Sequence, residues 1–218
     1  MANNKNIKND IKKDVKKKKK KKPLIYPVVF MVIISAVFTT ALATLNAVTI
    51  ERVETQEAVK NQRSLLYVFG QTIPEGLEET QLAFEGLVKM KSIEDISYYE
   101  ATENDELIGY AFPFQGSGLW GTIWGYVAVS PDFSEIIGVD FIKHAETPGL
   151  GGRISEVWYR DQFRGIDISN QVADVIIYHP SDGGNADAIT GATLTSNAVK
   201  NMINAELNHL LEKVKGEL

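Results

Sequence analysis

The sequence predicts an α+β domain carried behind one apolar N-terminal helix. Three observations point there: an uninterrupted apolar run near the start, a group of short β-patterned segments after residue 106, and an amphipathic helix at the end. Strands followed by a helix that packs on one sheet distinguish α+β from alternating βαβ architecture. Charge divides the chain in the same way. Residues 1–22 hold 11 of the 23 basic residues against Asp10 and Asp14 alone, and the remainder holds 12 basic and 26 acidic residues. Cysteine is absent. Disulfides, Cys-ligated zinc, iron–sulfur clusters and thioether cofactor links are thereby excluded.

Residues 1–22 end in seven consecutive lysines, Lys16 to Lys22, a run that repels itself and cannot bury a core. Residues 23–50 contain no charged side chain. A bilayer core about 30 Å thick needs about 20 apolar residues in a helix, so this segment is long enough to span it. Ala41-Leu42-Ala43 has the small-x-small pattern of a signal-peptide cleavage site. Apolar character continues to Ile50 and the preceding polar region is long, which favours a retained anchor. Lysines before the span and acidic residues after it predict a cytoplasmic N-terminus and an outer C-terminal part. The lysines also suit anionic lipid headgroups, so nucleic acid is not needed as a partner.

Glu51 to Phe69 continues the helix as a stalk, with Gly70 stopping it. Residues 71–104 are acidic and mixed in signal, and are expected to form helix and loop with a turn at Pro74-Glu75-Gly76. Leu107 to Phe112, Leu119 to Val129 and Ile136 to Ile142 then read as antiparallel strands, the last two separated by turn-forming Ser130-Pro131-Asp132. Val172 to Tyr178 is another β-branched stretch. Val199, Met202, Ile203, Leu207, Leu210, Leu211 and Val214 recur at three and four in a closing helix, with Thr195 or Ser196 as its cap and Gly216 as its stop. The expected organisation is a cytoplasmic Lys-rich tail at 1–22, a transmembrane helix at 23–50, a stalk and helical approach at 51–105, and the main domain at 106–218.

Two stretches carry possible chemistry. His144-Ala145-Glu146-Thr147-Pro148-Gly149-Leu150-Gly151-Gly152-Arg153 is a sharp turn whose glycines let backbone groups approach a ligand. His144 and Glu146 are too few for a metal site, and by themselves read as a solvated charge pair. Asp187-Ala188-Ile189-Thr190-Gly191-Ala192-Thr193-Leu194-Thr195-Ser196 leads into the closing helix, whose N-terminus favours phosphate. It lacks P-loop spacing, and on physics alone a run of capping hydroxyls is the safer explanation. No Gly-x-Gly-x-x-Gly strand–helix unit for a dinucleotide appears.

Thr190-Gly191-Ala192-Thr193, preceded by Asp187, resembles the Asp-x-x-Ser/Thr-Gly-Ala-Ser/Thr flavinylation motif of the FMN-binding domain family. Residues 144–152 resemble that family's Glu-Thr-Pro-Gly-Leu-Gly turn, and Gly118-Leu119-Trp120 with Gly125-Tyr126 its aromatic strand. The family includes the NqrC component of the sodium-translocating NADH:quinone reductase and the RnfG component of the Rnf complex. The resemblance implies covalent FMN joined through its phosphate to Thr193, placed there by a separate flavin transferase that uses FAD and a divalent cation. Asp187 would serve that attachment. Thr190, Gly191 and Ala192 would surround the phosphate. Glu146, Thr147, Gly149, Leu150 and Gly151 would contact the flavin, with Trp120 packing near the ring.

The function so implied is that of a single-pass flavoprotein component in the cell inner or plasma membrane. Its FMN domain lies on the outer side and carries electrons between other membrane subunits of a redox-driven ion pump, so it is not a self-sufficient enzyme. Two alternatives stand beside it: a stand-alone covalent flavoprotein outside the cytoplasm, and a flavin-free membrane-tethered scaffold in which 187–196 is only a helix cap.

Overall fold

The computed structural model describes residues 25–94, 96–169 and 174–216; the Lys-rich tail read at 1–22 lies outside them. One helix, α1 (Ile25–Val68), takes up both the apolar run and the stalk. It is long and apolar enough to cross a membrane. The chain divides into two compact units at Val53. In the first, the apolar side chains of α1 are exposed. In the second, the end of α1 is buried through Val59, Leu65, Leu66 and Val68. Gly70 then stops the helix with φ +72°, a left-handed conformation that favours glycine.

The 71–104 segment departs from expectation. After α2 (Leu77–Leu87) come two strands, β1 (Val88–Ile93) and β2 (Ile96–Glu103), rather than helix and loop. They extend a five-stranded antiparallel meander in the order β1-β2-β3-β4-β5, with β3 at Glu106–Ser117, β4 at Thr122–Val129 and β5 at Ile136–Lys143. Strand β1 is hard to read in the sequence because it is an edge strand with four consecutive exposed residues, Lys89 to Ser92. Charged side chains on such an edge prevent pairing with another chain.

Both sheet faces are covered, and the period-2 alternation of each strand sorts its side chains between them. Tyr110, Phe112, Phe114, Ile123, Val127 and Val129 enter the larger core. Ala111, Tyr126 and Ala128 enter the smaller one, with Leu65, Val68 and Phe69 from α1 and the chain just beyond it. Burying one large apolar side chain contributes about 1.5–3 kcal/mol. Gly138 lets α1 close on β5, since a Cβ there would stand 2.5 Å from the Val68 carbonyl oxygen. Arg164 completes that junction by donating to the Ile137 carbonyl at 2.7 Å and the Tyr67 carbonyl at 2.8 Å.

After β5, a 3-10 turn (Gly151–Ser155) leads to short helix α3 (Val157–Asp161), and the chain closes with α4 (Thr193–Lys213). The expected β-branched stretch falls partly on residues outside those described. Its described part, 174–178, forms no strand beyond an isolated bridge from Tyr178 to Ala186. Asparagine side chains satisfy its backbone instead. Asn204 accepts from the Ile176 N–H at 2.8 Å and donates to its carbonyl at 3.1 Å. Asn185 accepts from Ile177 at 3.0 Å and donates to Val175 at 2.7 Å.

Candidate functional site

Three separated stretches meet at the carboxylate of Glu146. Oε1 accepts the backbone N–H groups of Leu119 at 2.9 Å and Trp120 at 3.0 Å. Oε2 accepts the Thr195 hydroxyl at 2.6 Å. Glu146 is only 5% exposed, so the solvated charge pair expected with His144 is not what the structure contains. A buried carboxylate is tolerable when its lone pairs are filled by donors. Two glycines make room for it. A Cβ on Gly118 would meet Glu146 Oε1 at 2.5 Å, and one on Gly151 would meet Thr195 Oγ1 at 2.5 Å and Glu146 Oε2 at 2.8 Å.

The 144–153 loop is a compact turn. The Thr147 carbonyl accepts from Leu150 at 3.1 Å and Gly152 at 2.9 Å, and Gly149 sits at φ +73°. Leu150 reaches the second motif, since a Cβ on Gly191 would lie 3.4 Å from Leu150 Cδ2. His144 bonds Ser155 Oγ at 2.8 Å through Nε2, and its Nδ1 accepts the Glu146 N–H at 3.3 Å. Burial lowers the His144 pKa below its ordinary 6.5; nearby Glu146 opposes that shift and Lys60 adds to it.

Helix α4 begins at Thr193, two residues earlier than its expected cap. Thr195 and Ser196 do not cap it. Thr195 serves Glu146, and Ser196 Oγ accepts the buried Ile189 N–H at 2.9 Å. Residue Ala192 occupies the N-cap position and no side chain caps the helix, so first-turn N–H groups remain open to an anion. Gly191 adopts φ +81° just before it. Thr193 itself is exposed.

A buried tyrosine pair braces the same turn. Tyr178 donates to the Ser196 carbonyl at 3.0 Å, and its oxygen lies 2.6 Å from the Tyr159 hydroxyl, so Tyr159 donates the shared proton. Burial pushes Tyr178 up to about 12 and raises Tyr159 well above its ordinary value, which keeps both hydroxyls protonated. Gln162 fixes the backbone of Asp187, donating to its carbonyl at 3.2 Å and accepting its N–H at 2.6 Å.

The residues singled out by sequence therefore fall into two groups. Thr193, Thr190, Gly191, Asp187, Thr147, Gly149, Leu150 and Trp120 lie nearer the surface, whereas Glu146, Gly151 and Ala192 are buried. Asp187 and Thr190 also line a cleft of about 480 Å³ with Arg153, Trp158 and His179. Sequence reasoning missed the tying roles of Gly118, Gln162, Tyr159, Tyr178 and Thr195. A sequence signal existed for Gly118, which opens the aromatic block, and none for the tyrosines or Gln162. Among the described residues no group of His, Asp and Glu could hold a metal ion.

Residues 118–208 match the family model described as the FMN-binding domain. The C component of the Na(+)-translocating NADH-quinone reductase of Vibrio anguillarum is 34% identical over 108 residues, 47% of this chain and 42% of that protein. The G component of the ion-translocating oxidoreductase complex of Methanosarcina acetivorans is 34% identical over 116 residues, 53% of this chain and 58% of that protein. The chain thus spans roughly half the length of these curated relatives. Among solved structures, the C component of the Na(+)-translocating NADH-quinone reductase from Parabacteroides distasonis superposes with a TM-score of 0.64 at 24% identity, covering 73% of this chain and 93% of that one. NqrC of Shewanella oneidensis gives 0.57 at 21%, covering 70% and 96%. These two share the fold. Residues 118–208, which contain all three motif blocks, match the FMN-binding domain, and over about half its length the chain is similar to the NqrC and RnfG components of those ion-translocating complexes.

Proposed function

We propose that this chain is a membrane-anchored, electron-carrying member of an ion-translocating redox complex, with FMN held covalently through a phosphoester to Thr193. The observation that carries the reading is the convergence of the three family blocks on one uncapped helix start with an exposed threonine. That start fits a phosphate group: first-turn N–H groups are open, the field at a helix N-terminus favours an anion, and Gly191 and Ala192 place no bulk beside it.

FMN, when bound, supplies reversible uptake and release of electrons. The chain's own residues hold and orient it. Thr193 provides the attachment oxygen, and Asp187 and Thr190 flank the approach. Exposed Leu119, Trp120, Leu150 and Leu194 offer apolar edges that exclude water from a planar ring. Thr147, Gly149 and Gly151 shape the turn that carries Leu150. Glu146 spends its oxygens on the protein and acts as the support beneath the site. A covalent link keeps the cofactor whatever its intrinsic affinity, which suits a domain outside the cytoplasm.

The apolar part of α1 is the anchor in this reading, with lysines inside and the FMN domain outside. Partners are the other membrane subunits, a flavin transferase and lipid. Identity to the C and G components is the same, 34% over 108 and 116 residues, so the reading covers both the Nqr and the Rnf type. Coexpression with a flavin transferase should give a yellow protein whose band fluoresces in a denaturing gel, and Thr193→Val should lose that fluorescence. A mutant that stays fluorescent removes Thr193 from the attachment. Protease added to right-side-out vesicles should digest the C-terminal domain; full protection reverses the topology.

A further inference from the structure

A second, distinct cavity lies where the end of α1 meets β5 and α3. It measures about 320 Å³ and is lined by Lys60, Arg63, Ser64, Asp140, Ser155 and Arg160, among others. The concentration of cations is unusual for this chain. Beyond residue 22 only 12 basic residues stand against 26 acidic ones, yet three of the 12 share this one cavity with a single carboxylate.

The carboxylate does not use up that charge. Asp140 Oδ1 accepts from Arg160 Nη1 at 2.5 Å and from the Phe141 N–H at 2.8 Å. Arg63 gives Nε to Thr80 and Nη2 to the Pro74 and Glu75 carbonyls, neutral acceptors that leave its charge uncompensated. Lys60 makes no ion pair among the described residues. Two polar atoms of lining residues, Ser64 Oγ and Arg160 Nε, are buried without a hydrogen-bond partner. Ser64 as a whole is 3% exposed. A buried donor left unmade is costly, and such atoms in native proteins call for a partner. Arg160 is meanwhile held in place by stacking 4.1 Å from the Tyr67 ring centroid.

We infer that this cavity is an oxyanion site, taking a phosphate group from inorganic phosphate or a small phosphomonoester through Lys60, Arg63, Ser64 and Arg160. A multiply charged tetrahedral anion matches several converging N–H and O–H donors and a net positive lining. The site is separate from the helix start at Thr193 and does not depend on the flavin reading.

The test is thermal unfolding of the full-length chain in detergent, titrated with sodium phosphate, with glycerol phosphate, and with sodium chloride at matched ionic strength. Phosphate should raise Tm saturably above the chloride control, and the glycerol phosphate arm identifies whether the ester or the free ion is preferred. Lys60→Gln and Ser64→Ala should each weaken the response about tenfold in phosphate concentration. Lys91→Gln, on edge strand β1, should leave it unchanged. Ser64→Ala is chosen because removing an unpartnered buried hydroxyl should not unfold the chain. A phosphate effect equal to that of chloride, or one retained in both cavity variants, overturns the assignment.

Discussion

Two carboxylates six positions apart, Asp140 and Glu146, are both buried and are satisfied in opposite ways. Asp140 faces a cation, Arg160, and its pairing fixes α3 against β5. Glu146 takes only neutral donors, two N–H groups and one hydroxyl. A charge pair joins two places. A carboxylate fed by neutral donors can gather three, because each oxygen accepts along more than one direction. The site needs the second kind of link, since its parts lie on a β-turn, a loop and a helix start.

Mutations can break or sharpen this contrast. Glu146→Ala is expected to have the largest effect. It strands two N–H groups and a buried hydroxyl, and should cost about 3–5 kcal/mol in urea unfolding, with loss of flavin loading. Asp140→Asn should cost less, about 2 kcal/mol, because Arg160 keeps its stack on Tyr67 and a neutral acceptor. It should leave loading intact; a loading defect equal to that of Glu146→Ala would erase the distinction. Glu146→Gln should be milder still, about 1 kcal/mol. The amide oxygen can keep the Leu119 and Trp120 donors while its NH₂ faces the Thr195 oxygen.

The smallest effect concerns pH. His144 has a folded pKa below 6.5, chiefly through burial. The unfolded chain therefore binds the proton more readily, and this contribution to stability is full above about pH 6.5 and declines as pH falls toward the folded value. His144→Asn should flatten the stability profile in that window. An unchanged slope between about pH 7 and pH 5 would assign the dependence elsewhere.

Much of this architecture is readable from the chain because its signals are local. The apolar run, the three-and-four spacing before Gly216 and the Ser130-Pro131-Asp132 turn each act within a few residues. Ser130 Oγ indeed accepts the Ser134 N–H at 2.9 Å. Strand β1 escapes notice because an edge strand need not be apolar, and Lys89 to Ser92 are all exposed; β2 escapes because only Tyr98 and Ala101 of it are buried. The described part of the Val172 to Tyr178 stretch, residues 174–178, misleads for the reverse reason. Its side chains suit a strand, but Asn185 and Asn204 supply the pairing from elsewhere. At the site, the three motif segments meet through Glu146. Their union is invisible in sequence, because Glu146 and Thr195 are 49 positions apart and Thr195 looks like any capping threonine.

That separation has a consequence during synthesis. Glu146 leaves the ribosome well before Thr195, so for an interval a carboxylate destined for the interior lacks one of its donors. The turn around Thr193 can take its final form only once the last helix is in place. Under the proposed covalent attachment at Thr193, an enzyme that recognises that shape would act on finished molecules and pass over nascent ones.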